Sequence, residues 1–475
     1  MNTYKQQWFG NIRGDILAGL VVALALIPEA IAFSILAGVD PMVGLYASFI
    51  IAVTISFVGG RPAMISAATG AMALVIVSLV KDHGLQYLLA ATILTGMIQI
   101  IFGFLKIGKL MKFISNAVML GFVNSLALLV FMAQTPHFIG KNTTTWLFLL
   151  LTIALVYLIP YVVKGIPSPL ITVVILTIVA IYSGINLSTV GDMGSISTTL
   201  PTFLLPDIPL NIETLKIILP YSLALAIVGL MESLMTAQLL DEMTDTDSNK
   251  DVEARGQGIA NILNGFFGGM AGCAMIGQSI INVVSGARGR LSTFVAGAFL
   301  MFLIIVLGDY VVQIPMPVLA GVMVVVCIKQ FDWSSFKYVA KAPKQDVFVM
   351  LLTVGLVLYT HNLAIGVVAG VFMSAIFFVT KIASVKIHEQ NGIHYIEGQI
   401  FFASTETILK YFKALPKQSH IRIDLTDSTI WDESAVNALV KLKMNLESKN
   451  VKVEFINIRP KSARMIERIL KRPTI

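Results

Sequence analysis

From residue 16 to residue 385 the chain alternates long apolar runs with short polar breaks. Charge almost vanishes inside the runs. Stretch 16–39 carries Glu29 as its one charged residue, 113–136 and 167–190 carry none, and 346–380 carries only Asp346. Because about 20 apolar residues span the hydrocarbon core of a bilayer, these runs read as membrane helices. Along the chain they form about fourteen segments, near 16–38, 42–59, 65–80, 87–105, 113–134, 146–164, 167–186, 215–240, 257–268, 274–285, 291–308, 315–329, 346–361 and 363–385. Several are too short to cross alone. Past Lys381 the pattern turns soluble. Strands are expected at 394–403, 421–425 and 451–456, and helices at 405–415, 434–446 and 462–470. Val436, Leu439, Val440, Leu442 and Leu446 recur at helical spacing, so one face of the second helix is buried in a small α/β domain.

Composition supports that division. Of all residues 56% are hydrophobic and 13% charged, against roughly 25% charged in soluble domains, which excludes a large soluble protein. The net charge of +7 does not indicate nucleic acid, because the basic residues fall between apolar runs, where they set orientation. The first run follows Lys5 and Arg13 as a signal peptide would, yet it is long and many spans follow, so it reads as the first span. Cys273 and Cys327 lie in apolar segments, which argues against a disulfide framework.

Lys and Arg near span ends favour the cytoplasmic side. With the N-terminus inside, that side collects Lys5, Arg13, Arg61, Lys106, Lys109, Lys112, Lys164, Lys250, Arg255, Arg288, Arg290, Lys329, Lys337, Lys341, Lys344 and Lys381. The outer side keeps little beyond Lys81, Lys141 and Lys216. The expectation is a multi-pass protein of the plasma or inner membrane with both termini cytoplasmic. The acidic stretch 241–253 then becomes a solvated cytoplasmic connector.

The two halves share an order. In the first, Pro28-Glu29-Ala30 precedes Gly59-Gly60 and then the small-residue segment from Ile65 through Thr69-Gly70 to Met72. In the second, Met231-Glu232-Ser233 precedes Gly268-Gly269 and then Gly272 through Gly277-Gln278-Ser279. An odd number of spans per repeat inverts the second copy, so the two short spans approach the midplane from opposite faces. Extended backbone is expected before each helix start, near Thr69–Gly70 and near Gly277–Ser279. Facing helix N-termini hold an anion through unpaired N–H groups and partial positive charge, with Thr69, Gln278 and Ser279 adding donors. The alternative is that these small residues only let helices pack closely.

Glu29 and Glu232 stand at membrane depth, where an ionised carboxylate normally faces a cavity or a partner. No intramembrane Lys or Arg is expected nearby to neutralise them. They carry protons or sit beside a cation such as Na+, or else they are protonated and bonded to backbone.

These segments resemble a known family. Asp15-Ile-Leu-Ala18-Gly19, Ile27-Pro28-Glu29-Ala30-Ile-Ala32-Phe33 and Pro41-Met-Val-Gly44-Leu45-Tyr46 resemble the opening of the SulP family of anion permeases. Ser66-Ala-Ala-Thr69-Gly70 is similar to its third span, Glu232 to Thr236 to its eighth, and Gly277-Gln278-Ser279 to its tenth. Asp424-Leu425-Thr426 and Asp432-Glu433-Ser434-Ala435 resemble the STAS domain that closes most members.

The resemblance implies an α-helical polytopic membrane protein with fourteen spans in a seven-plus-seven inverted repeat, followed by a cytoplasmic STAS-like domain. The transport domain covers 1–385, with repeats at about 11–190 and 212–385, and the STAS-like domain covers 386–475. Spans 1–4 and 8–11 would form a moving core, and spans 5–7 and 12–14 a gate. The substrate would be sulfate or bicarbonate, coupled to Na+ or H+ in an elevator-like cycle, in a homodimer with a regulatory partner for the STAS-like domain. The anion-binding set is Phe33, Thr69, Gly70, Ala71, Ile276, Gly277, Gln278 and Ser279. Glu29, Glu232 and Thr236 form the cation-coupling set, with Glu232 and Thr236 matching positions that bind Na+ in bicarbonate-carrying members. Glu29 replaces a Gln common in relatives, and Gln278 replaces the Arg of animal members; that missing Arg, together with an uncompensated Glu232, favours cation-coupled uptake over exchange.

Ser434 sits where related regulators are phosphorylated, although a helix cap by Asp432 or Ser434 is the better account of the motif. Two other readings remain, a nucleobase permease of the same architecture and a membrane-tethered STAS sensor. The six histidines are scattered and no catalytic cluster or phosphate loop emerges, so no enzyme and no resident cofactor are expected.

Overall fold

A computed structural model describes residues 4–108, 114–163, 166–209, 211–416 and 419–470. Lys109, Lys112 and Lys164 of the orientation pattern lie outside the described residues. The chain divides into two compact units, Met1–Val371 and Phe372–Ile475.

In the first half, α1 (Tyr4–Phe9) leads to α2 (Ile12–Ala37), α3 (Pro41–Val58), the strand β1 (Ser66–Ala68), α4 (Gly70–Phe104), α5 (Asn116–Gln134), α6 (Thr143–Val162) and α7 (Ser168–Ser183). The second half runs α8 (Ile212–Thr244), α9 (Lys250–Phe266), β2 (Gly272–Ala274), α10 (Ile276–Val284), α11 (Arg290–Val311), α12 (Met316–Gln330), the short α13 (Ser335–Lys341), α14 (Lys344–Thr360) and α15 (Leu363–Ala383). Every apolar segment of the sequence falls largely on one of these helices, with 65–80 and 274–285 beginning on the strands ahead of theirs. The third and fourth segments share α4, where Gly84 at φ 79° and ψ −174° breaks the helical path. Among the described residues, nine helices are long and apolar enough to cross a membrane. Helix ends follow local chemistry. Left-handed Gly38 closes α2 by donating to Ile35 O while Val39 donates to Ser34 O, and Pro41 opens α3.

The halves interlock through their packing. α4 lies on α8 and α9, just as α11 lies on α2 and α3. A separate group forms where α5 packs on α12 and α14, and α6 on α7 and α12. Sparser contacts, such as α2 with α12 and α4 with α5, join the two groups.

At the centre β1 and β2 pair antiparallel, with Ser66 opposite Ala274, Ala67 opposite Cys273 and Ala68 opposite Gly272. All six residues are buried. Extended backbone survives at membrane depth only when protein satisfies its polar groups, and neighbouring helices do so. Asn261 accepts from Gly272 N at 2.9 Å and donates to Gly272 O at 3.0 Å, Ser233 Oγ accepts from Ala274 N at 3.0 Å, and Ser279 Oγ accepts from Ile65 N at 3.0 Å. Only small side chains fit here. A Cβ on Gly272 would stand 2.2 Å from Ala67 O, a backbone atom of the paired strand. Gly272→Ala is therefore expected to destabilise the protein by about 2–4 kcal/mol. Thermal unfolding of the purified protein checks this, and a wild-type midpoint would contradict it.

The acidic stretch 241–253 departs from the expected solvated connector. Its ends belong to α8 and α9, and only 245–249 link them. Asp241 pairs with Arg61 at 3.3 Å and Lys250 at 2.9 Å. Glu253 is fully buried, accepting from Gly60 N at 2.7 Å and Arg61 N at 3.0 Å. Counting charges along the sequence hid this, because the partners come from the distant Gly59-Gly60 turn.

The second unit carries a mixed sheet. Its elements are β3 (Lys386–Gln390), β4 (Ile393–Ile400), α16 (Thr405–Ala414), β5 (His420–Asp424), β6 (Ser428–Ile430), α17 (Glu433–Glu447), β7 (Lys452–Ile456) and α18 (Pro460–Leu470). The order is β3-β4-β5-β7, with β6 also on β4. Only the β3–β4 pair is antiparallel. Val436, Leu439, Leu442 and Leu446 enter its core, with Val440 packed against them. The sequence pattern missed β3 because this strand is polar and largely exposed, with no apolar alternation to reveal it. Asn391 and Gly392, both at positive φ, make the hairpin turn. Asp432 caps α17 by accepting from Ala435 N at 2.8 Å, while Ser434 is exposed in the first turn.

Candidate functional site

The strand pair fixes where two helices begin. β1 ends at Ala68, Thr69 stays extended, and α4 starts at Gly70 with Thr69 Oγ1 accepting from Met72 N at 3.4 Å. β2 ends at Ala274, Met275 stays extended, and α10 starts at Ile276 with no side-chain cap. Helix geometry leaves the first-turn N–H groups of each without an intrahelical acceptor. Both starts open into a cavity of about 510 Å³.

Most residues singled out in the sequence meet there. Glu29, Phe33, Thr69, Gly70, Ala71, Glu232, Ile276, Gly277 and Gln278 all line the cavity, together with Val123 and Leu126 of α5 and Val322 and Met323 of α12. The glycines differ in their surroundings. A Cβ on Gly70 would meet Phe33 at 2.9 Å, whereas one on Gly277 would meet nothing within 4 Å. Gly70 thus permits close packing, and Gly277 leaves the α10 start open.

Two residues of the expected set do not line this cavity. Ser279 Oγ also donates to Ile65 O at 3.3 Å, so its hydroxyl fastens the chain ahead of β1. Thr236 Oγ1 donates to Glu232 O at 2.7 Å within its own helix and is fully buried. Helical and strand spacing alone do not reveal these backbone bonds.

The carboxylates have specific partners. Glu29 is 9% exposed and Oε1 accepts from Gln278 Nε2 at 2.8 Å. Gln278 Oε1 is buried and has no hydrogen bond. Glu232 is 4% exposed, and its Oε2 accepts from Cys273 Sγ at 3.0 Å. That sulfur lies 3.1 Å from Thr69 Oγ1. Each carboxylate therefore bonds, directly or through a thiol, to a side chain at the helix start of the opposite half.

Cys273 is the residue that sequence reasoning missed. It stands inside the small-residue segment, but cysteine in an apolar run reads as packing, and only the strand register aims it at Thr69. Exposed Lys329, at the end of α12, lines the same cavity beside Gln330. In the sequence it closes the apolar segment 315–329 and belongs to the cytoplasmic set of basic residues.

The chain matches the model of the Sulfate permease family over residues 12–147 and 141–353, and that of the STAS domain over 383–470. It is 56% identical over 472 residues to YbaR of Bacillus subtilis, covering 98% of this chain and 99% of that protein. To the bicarbonate transporter BicA of Picosynechococcus it is 27% identical over 432 residues, covering 84% and 75% respectively. Its fold is similar to the solved structure of the murine Solute Carrier 26 family member A9 anion transporter in the inward-facing state. The TM-score is 0.86 at 19% identity, covering 98% of this chain and 88% of that one.

Proposed function

The chain belongs to the Sulfate permease family, and from that premise we propose that it carries a small oxyanion, sulfate or bicarbonate, across the membrane by secondary transport coupled to H+ or Na+. One observation carries this reading. Two helix starts, each following one strand of an antiparallel pair, share a cavity whose wall also holds two nearly buried carboxylates. Amide dipoles attract the anion without a fixed cation, and the carboxylates take the co-transported positive charge. Solvation of a second negative charge there requires that partner, because burying an unpaired carboxylate beside an anion is costly.

The cavity reaches Ser285 at the end of α10, Gln330 at the end of α12 and Pro167 before α7. With the N-terminus inside, all three are cytoplasmic ends, so the access path faces inward. α2–α4 and α8–α11 would then move as one body against α5–α7, α12, α14 and α15, carrying the site outward. A homodimer in the plasma or inner membrane, with a regulatory partner for the STAS domain, completes the proposal.

Labelled sulfate uptake into proteoliposomes tests it, with bicarbonate, chloride and uracil as competitors and with Na+ and pH gradients set separately. Oxyanions are expected to compete and one gradient to drive accumulation. Displacement by uracil without displacement by any anion would overturn the reading in favour of a nucleobase carrier.

A further inference from the structure

The Cys273 thiol lies between the two halves of the proposed mechanism, and its position carries more than packing. It is fully buried, with Glu232 Oε2 at 3.0 Å on one side and Thr69 Oγ1 at 3.1 Å on the other. Both separations are short for hydrogen bonds to sulfur. The thiol has one proton and so bonds as a donor in one direction at a time.

We propose that Cys273 is a positioning residue that relays the protonation of Glu232 to Thr69, setting whether the Thr69 hydroxyl is free to bind the anion. While Glu232 is charged it only accepts, so the S–H points to Oε2 and the Thr69 O–H donates to the sulfur. The donor at the α4 start is then occupied. When Glu232 gains a proton, its own O–H donates to the sulfur, the S–H turns to Thr69 Oγ1, and the Thr69 O–H is released. Thr69 lines the cavity, so the freed hydroxyl adds to the amide donors there. No covalent bond within the chain breaks; one proton is added to Glu232, two hydrogen bonds reverse direction and the Thr69 O–H is left free.

The inference rests on the transport reading above and narrows it. Hard cations such as Na+ take oxygen ligands, and a thiol is a poor one. The Oε2 edge of Glu232 is turned to sulfur, so the relay selects H+ as the ion that Glu232 carries. Other ionisable groups around this site are few. Glu29 comes from α2 and Lys329 from α12, both in the same cavity wall, and the lining residues of α4 and α10 carry no ionisable side chain. Glu253 of α9 is engaged by the Gly60 and Arg61 amides.

Difference infrared spectroscopy reads the relay without any anion. The chain has two cysteines, so in a Cys327→Ala background the S–H stretching band reports Cys273 alone. On acidification the Glu232 carboxylic C=O band is expected to appear and the S–H band to rise in frequency, as the thiol exchanges a carboxylate acceptor for a weaker hydroxyl. In Glu232→Gln both changes should vanish. A C=O band that titrates while the S–H band stays fixed overturns the relay and leaves proton coupling standing. If that C=O band never appears, Glu232 is not the proton carrier, and relay and coupling by H+ both fall. Proteoliposome uptake supplies the functional arm. Cys273→Ala should remove the pH dependence of the sulfate KM, a change of about tenfold, while Cys273→Ser, which keeps a reversible donor, preserves it. A Cys273→Ala protein with the wild-type pH profile would overturn the relay.

Discussion

Glu232→Gln is expected to end cation-driven anion accumulation while leaving the protein folded. The amide matches the carboxylate in shape and accepts from Cys273 in the same place, so local packing survives. What it loses is the ability to take a proton or pair with a cation. With Glu232 only 4% exposed, removing its charge also relieves a desolvation cost, so the unfolding midpoint should stay level or rise. Gradient-driven uptake should fall at least about tenfold, equivalent to roughly 1.4 kcal/mol or more. Proteoliposomes with an imposed gradient measure the uptake and thermal unfolding measures the fold. Coupled uptake at the wild-type rate in the Gln variant would remove Glu232 from the mechanism.

Gly277→Leu should block the anion outright. A Cβ on Gly277 meets nothing within 4 Å, so the new side chain starts into open space at the first turn of α10. There it shields the N–H groups from the cavity and replaces polar volume with apolar. Losing two or more charge-assisted hydrogen bonds, each worth about 1.5–3 kcal/mol, predicts at least a hundredfold weaker anion binding. The unfolding midpoint should be unchanged, in contrast with Gly272→Ala, where a new Cβ strikes backbone. Isothermal titration checks the first part, and wild-type affinity would show that the α10 start does not touch the anion.

Much of this architecture is written in residue order. Apolar runs located the helices because the bilayer admits few alternatives, and the paired Gly-Gly and small-residue segments marked both broken helices. The Glu29 and Glu232 positions stood out for the same reason, as charges in otherwise neutral runs. What escaped were contacts made between halves. Cys273 meets Thr69 only through the β1–β2 register, Ser279 turns to Ile65, and Glu253 finds the Gly60 and Arg61 amides. Each depends on a partner about 190 to 215 positions away, beyond any local periodicity. The polar strand β3 was missed because an exposed edge leaves no alternation to read.

The central claim is that an anion sits between the two helix starts. A density map of the protein in lipid nanodiscs, prepared with the anion that competition uptake selects, tests it most directly. The account predicts non-protein density about 3 Å from first-turn N–H groups of both α4 and α10, near Gly70 and Gly277. Density confined to the Lys329 rim, or a cavity holding only water at saturating anion, would contradict it.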